Sequence, residues 1–197
     1  MKKMRQAKIP AFDFILKMLK DKNKKSTNFE KITINPLSKK DFSSLLVIEE
    51  KIYPKLLVQG KAILQDIESG RGLEYSFVAF VGKKNIGYLV AVEEKSKEGG
   101  QIVYLEDIAV LPEAQGHGVA WEMLKKLIRK LQAKAKRDNE PILWEMHLRE
   151  ASRNLFEKHK KELEEIGVEG IKEIILPRYY KNGEDASYRL YKVFKRL

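Results

Sequence analysis

Apolar positions along this chain recur with two periods, and the switches between them mark out the elements. Lys31 to Asn35 (KITIN) alternates as a strand. Ser38-x-x-Asp41 has the form of a capping box, and it opens a helix carrying Phe42, Leu45, Leu46 and Ile52, which Pro54 ends or bends. A second helix is expected over Gly60 to Glu68. Tyr75 to Val81 and Ile86 to Glu93 read as two strands, with Gly82–Asn85 as the hairpin turn between them. Gln101 to Val110 is a third long strand. Val119, Met123, Leu124, Leu127, Ile128 and Leu131 then fall at helical spacing. Pro141 to Leu148 is a strand, and Ser152 to Ile166 a helix with Leu155, Phe156, His159, Leu163 and Ile166 inward. Two strands close the chain, Gly170 to Leu176 and Ala186 to Phe194, joined by a polar loop with Asn182-Gly183. No internal repeat interrupts the order β-α-α-β-β-β-α-β-α-β-β. That order predicts an α/β fold, a mixed and mostly antiparallel sheet with helices on both faces.

Ahead of this body, Phe12, Ile15, Leu16 and Leu19 form one stripe of a short helix begun near Pro10, and Lys20 to Thr27 reads as a lysine-rich linker. The division expected is a basic arm over residues 1–30 and one domain over 31–197. Charge sharpens the division. The net charge is +11, and residues 1–31 hold ten Lys/Arg against three Asp/Glu, so +7 of it lies there. A basic arm suits an anionic neighbour such as rRNA, an acidic partner or a membrane surface. It also serves simply as a solvated segment, and that reading is preferred. The apolar stretch of the arm is short, contains Asp13 and Lys17 and lacks a small-residue cleavage site, which argues against a secretory leader. The chain has no run of eighteen apolar residues for a membrane span and no cysteine for a disulfide or a thiol nucleophile. A cytoplasmic location is expected.

The most informative stretch runs from Tyr104 to Ala120, YLEDIAVLPEAQGHGVA. A strand ends at Val110, Pro112 stops pairing, and Gln115-Gly-His-Gly-Val-Ala120 turns into a helix. Backbone N–H groups at a helix start lack internal partners and sit where the helix dipole is positive, which suits a pyrophosphate. Gly116 and Gly118 allow close backbone approach. The glycine fingerprint of dinucleotide-binding folds and the lysine of the P-loop are both absent.

Gln115-x-x-Gly118-x-Ala120, preceded by Glu106-Asp-Ile-Ala-Val110, resembles the Q/R-x-x-G-x-G/A motif of the GNAT acyltransferases. The likeness extends over roughly residues 31–195. It implies acetyl-CoA as co-substrate and no metal. It further implies that Ile108, Ala109 and Val110 line the pantetheine, that Gln115, Gly116, His117, Gly118, Val119 and Ala120 hold the phosphates, and that Asn154 faces the CoA. The segment from Tyr179 to Ala186, YYKNGEDA, is similar to that of the RimI-like protein N-terminal acetyltransferases. It places Tyr179 and Tyr180 against the acceptor and makes Glu184-Asp185 an anchor of the loop.

Transfer from a thioester to an amine needs a proton acceptor, an oxyanion donor and a route for the thiolate. Glu106, Glu145 and His147 are the candidates for the base, and alternation puts Glu145 and His147 on one face. The N–H of Val110 is the candidate oxyanion donor. With no cysteine, direct attack in a ternary complex is favoured. The tyrosine that serves as acid in the RimI-like group is Phe156 here, so Tyr179, Tyr180 or water protonates the thiolate, or it leaves unprotonated. The three histidines offer no metal-ligand spacing. The acceptor expected is a protein α-amine or lysine. A small polyamine-like amine is the alternative, and a CoA- or RNA-binding module without catalysis is a further one. Oligomeric state is left open.

Overall fold

The computed structural model describes residues 31–52, 69, 72–95, 101–180 and 183–194. The arm over residues 1–30, the helix expected over 60–68 and the role expected of Pro54 lie outside the described residues. Seven strands form one sheet: β1 (Ile32–Pro36), β2 (Phe77–Val81), β3 (Lys84–Lys95), β4 (Gln101–Val110), β5 (Ile142–Leu148), β6 (Val168–Leu176) and β7 (Ala186–Val193). Their order is β1-β2-β3-β4-β5-β7-β6. Every neighbouring pair is antiparallel except β4 and β5. The helices are α1 (Phe42–Ile52), α2 (Val119–Asp138), α3 (Glu150–Lys158) and α4 (Lys160–Glu165). Among the described residues, no helix is long and apolar enough to cross a membrane.

Two cores sandwich the sheet. On one face Leu45 and Ile48 of α1 pack with Val78, Tyr88, Val90 and Ala109. The capping box expected at Ser38 is present: the Asp41 carboxylate accepts the Ser38 N–H at 3.0 Å, and a short 3-10 turn leads into α1. On the opposite face α2 buries Met123, Leu124, Leu127, Ile128 and Leu131. Trp144, Phe156 of α3 and Tyr191 of β7 pack there as three mutually contacting rings.

Two expectations need correction. Ser152 to Ile166 is not one helix. It is α3 and α4, broken at His159, whose backbone leaves helical geometry at φ −106° and ψ 12°. The His159 ring lies flat on Trp121, and its Nδ1 bonds Glu162, so packing across to α2 takes precedence over local helix propensity. The strand expected from Tyr75 starts at Phe77 instead. Leu73–Tyr75 is a 3-10 turn, entered from Gly72 at φ +85° and closed by the Ser76 hydroxyl donating to the Gly72 carbonyl at 2.7 Å.

Candidate active site

The parallel seam shapes the site. β4 and β5 pair only from Ile102–Leu143 to Leu105–Met146, while β4 runs on to Val110 and β5 to Leu148. Beyond the seam the two strands part. A β-bulge falls at the same level: Val90 opposes Asp107 and Ala91 opposes Leu105, so Glu106 is the extra residue on β4. Leu111 donates its N–H to Ile86 of β3 at 2.9 Å. Alternation therefore turns the Val110 N–H the other way, toward the gap.

A cleft of about 600 Å³ occupies that gap. Ile108, Ala109 and Val110 line it, as do Gln115, Gly116, Gly118, Val119 and Ala120. Gly116 and Gly118 have φ of +81° and +78°, and a Cβ added to either meets nothing within 4 Å. The backbone there needs glycine for its dihedrals and leaves the space beside it open. Gln115 ties the loop back to the strand, its Nε2 donating to the Val110 carbonyl at 2.9 Å. The first bond within α2 runs from Glu122 N–H to Gly118 C=O, so the N–H groups of Gly118 to Trp121 have no partner inside the helix. Trp121, Arg149 with its partner Glu184, Lys158 and His159 also line it. An open-ended cleft with a helix start opening into it and an unzipped strand edge along its side fits CoA. His117 and Asn154 are exposed and are not among the lining residues; Ser152 and Leu155 of α3 are. Phe156, where the RimI-like resemblance would set a tyrosine, is fully buried on the opposite face, and Leu155 takes the cleft side.

Around the far end of the seam the other candidates gather. Register puts Tyr104 beside Glu145, and both share the α1 face of the sheet. The Tyr104 hydroxyl meets His147 Nδ1 at 2.8 Å. Tyr179 stacks on His147 at 4.8 Å, and Tyr180 donates its hydroxyl to the His147 carbonyl at 3.3 Å. The loop carrying these tyrosines is held as expected. Arg178 N–H donates to Asp185, Tyr180 N–H to the Glu184 carbonyl, and Arg149 pairs with Glu184 at 2.8 Å while lying over the Tyr180 ring. Burial raises the Glu145 carboxyl, with the charge of Glu94 adding to it. Burial lowers the His147 imidazole. Burial also raises the Tyr104 phenol, and after it the charge of Glu106. Sequence reasoning missed Tyr104, Arg149 and Tyr188, whose ring packs against His147 with centroids 5.1 Å apart. The i, i+2 spacing of Glu145 and His147 pointed to a face, but the register that brings β4 and β7 beside it is not written locally.

A sequence model described as Acetyltransferase (GNAT) family matches residues 42–160, more than half of the chain. The chain belongs to the GNAT acetyltransferase family. None of the curated protein sequences matches it. Among solved structures, Arabidopsis thaliana Naa50 in complex with the bisubstrate analogue CoA-Ac-MVNAL superposes with a TM-score of 0.59 at 18% identity, covering 83% of this chain and 99% of that one. The NatC complex bound to Gag peptide and CoA gives 0.59 at 19%, covering 85% and 99%. The ribosomal-protein-S18-alanine N-acetyltransferase of Escherichia coli gives 0.58 at 19%, covering 85% and 97%. At these identities the superpositions establish the fold. This GNAT acetyltransferase has its strand–loop–helix at Gln101–Asp138, inside the matched residues.

A second group of ionisable residues lies under the bulge and was not singled out from the sequence. The Tyr88 hydroxyl bonds Asp107 at 2.6 Å and also meets Glu49 of α1. Burial raises both carboxyls, and for Glu49 the neighbouring Asp107 raises it further. The Asp107 carboxylate also accepts the Ile108 N–H at 2.8 Å. Two carboxyls bridged by one phenol at close range favour sharing a proton.

Proposed function

We propose that this enzyme transfers the acetyl group of acetyl-CoA to a protein amine, an α-amine or a lysine, by direct attack in a ternary complex. The observation that carries this reading is the meeting of the parted β4/β5 seam with Glu145, His147 and Tyr104 on one face, under a rim formed by Tyr179 and Tyr180. Ile108 to Val110 hold the pantetheine and the Gln115–Ala120 loop the pyrophosphate. The bound donor supplies the activated acetyl thioester. Glu145, its proton affinity raised by burial, takes the proton of the attacking amine. The Val110 N–H faces the developing oxyanion. His147, kept neutral by burial, stands hydrogen-bonded to Tyr104 beside it. Tyr179 is half exposed, at 49%, and gives an acceptor backbone an aromatic wall. Peptide-bearing relatives of the same fold support a peptide acceptor.

A small polyamine-like acceptor is the second reading, favoured by the acidic side chains of Glu106 and Glu145 close to Tyr104 and of Glu94 close to Glu145. One panel separates them. Purified enzyme with acetyl-CoA is assayed for thiol release on peptides with free N-termini, lysine peptides with blocked N-termini, and polyamines. Turnover confined to peptides supports the first reading, and turnover on polyamines alone overturns it. CoA binding with no release on any acceptor would favour a non-catalytic module.

A further inference from the structure

CoA is a linear molecule. Pantetheine leaves one side of the pyrophosphate and adenosine the other. With pantetheine along Ile108–Val110 and the pyrophosphate on the loop before α2, the adenosine leaves the loop on the side away from β4. Trp121, directly after the loop, lines the cleft together with Lys158 and His159 at the C-terminal end of α3.

These three residues form a built arrangement. Trp121 is the residue directly after the phosphate loop and is 5% exposed. The His159 ring lies on its indole with centroids 4.0 Å apart and planes within 8°. Glu162 clamps both rings: it accepts the indole N–H at 3.2 Å and meets His159 Nδ1 at 3.1 Å. The clamp occurs where the helix breaks between α3 and α4. Lys158 adds a positive charge at the same end of the cleft, and among the described residues no carboxylate forms an ion pair with it. Flat aromatic surface suits a purine, and a lysine beside it suits a phosphate monoester.

We propose that His159, backed by Trp121, and Lys158 form the receptor for the nucleotide end of the donor, with the outer face of the His159 ring taking the adenine and Lys158 the ribose 3′-phosphate. The proposal rests on the reading of this cleft as the CoA site. It makes the enzyme selective for 3′-phosphorylated CoA over dephospho-CoA and assigns that selectivity to one side chain.

The test is a titration of the full chain with CoA and with 3′-dephospho-CoA, followed by tryptophan fluorescence and by calorimetry. The wild type is expected to bind CoA about fivefold to tenfold more tightly than dephospho-CoA, the scale of one partly exposed charge-assisted contact. Lys158→Ala is expected to weaken CoA by that factor and leave dephospho-CoA unchanged. His159→Ala is expected to weaken both ligands alike and reduce the fluorescence change, and His159→Phe to restore affinity. Equal affinities for the two ligands in the wild type overturn the proposal, as does a Lys158→Ala variant that weakens both equally or neither. If the wild type binds neither ligand, the assignment of the cleft to CoA itself falls. CoA binding that is indifferent to all three substitutions leaves that assignment standing and removes only the nucleotide receptor.

Discussion

Glu145 and His147 are two residues apart on β5, and burial moves their proton affinities in opposite directions. Desolvation disfavours whichever form is charged, so it raises a carboxyl and lowers an imidazolium. A base must be deprotonated to act. The acidic limb of kcat/KM should therefore lie above the ordinary glutamate value of 4.5, with activity rising as Glu145 ionises. Glu145→Gln should lower kcat about 10²–10⁴-fold and abolish that limb. A fall of only a few-fold would move the role to Glu106 or His147. The Glu49–Asp107 pair predicts the opposite trend for stability. Its carboxyls are raised in the folded state, so their contribution is full below the ordinary glutamate value of 4.5 and is lost as pH climbs through the raised value. Thermal melts should show stability declining over that window, and Glu49→Gln should flatten the decline. Phe156, packed against Trp144 and Tyr191 with no exposed surface, is a core residue. Phe156→Ala should cost about 3–5 kcal/mol in denaturant titration. Phe156→Tyr should not raise kcat, because its hydroxyl would enter that core rather than the cleft.

At the scale of elements, the strand–loop–helix from Gln101 to Asp138 was legible because its signals are local. The alternation, the proline stop, two glycines and a long 3.6-residue stripe all lie within forty residues. Gly118→Trp tests the loop. It strains a residue at φ +78° and projects an indole into space that is otherwise open. CoA affinity should be lost in calorimetry while the fold, read by circular dichroism, persists; unchanged affinity would remove the pyrophosphate from this loop. The break at His159 was not legible. Lys158-His-Lys160 contains no glycine or proline, and what ends α3 is a ring contact to a residue thirty-eight positions earlier. The bulge at Glu106 was hidden for the same reason. It exists only in the register against β3, and it changes which β4 side chains share a face with β5. Assigning Asn154 and His117 to the cofactor followed the motif, yet their side chains lie outside the cleft lining.

For the whole molecule, the charge division read from the sequence becomes a question about partners. Removing residues 1–26 should leave acetyl transfer intact; weakened retention on RNA beside it would give the arm an anionic partner, and loss of turnover would tie the arm to catalysis. The sheet itself consists of two antiparallel blocks, β1 to β4 and β5 to β7, joined by a parallel ladder of four residue pairs. Parallel pairing is slightly weaker per residue than antiparallel, and this ladder is short. Most of the covalent continuity between the blocks is α2 and its loop, the same loop assigned to the pyrophosphate. A donor lying from that loop along β4 would overlap the joint as a splint overlaps a fracture. Amide exchange should then slow on β4 and β5 together when CoA binds, and the two blocks should melt closer to a single step. The donor would in that case be a temporary structural member of the sheet, and each turnover would loosen and remake the joint across which the acetyl group passes.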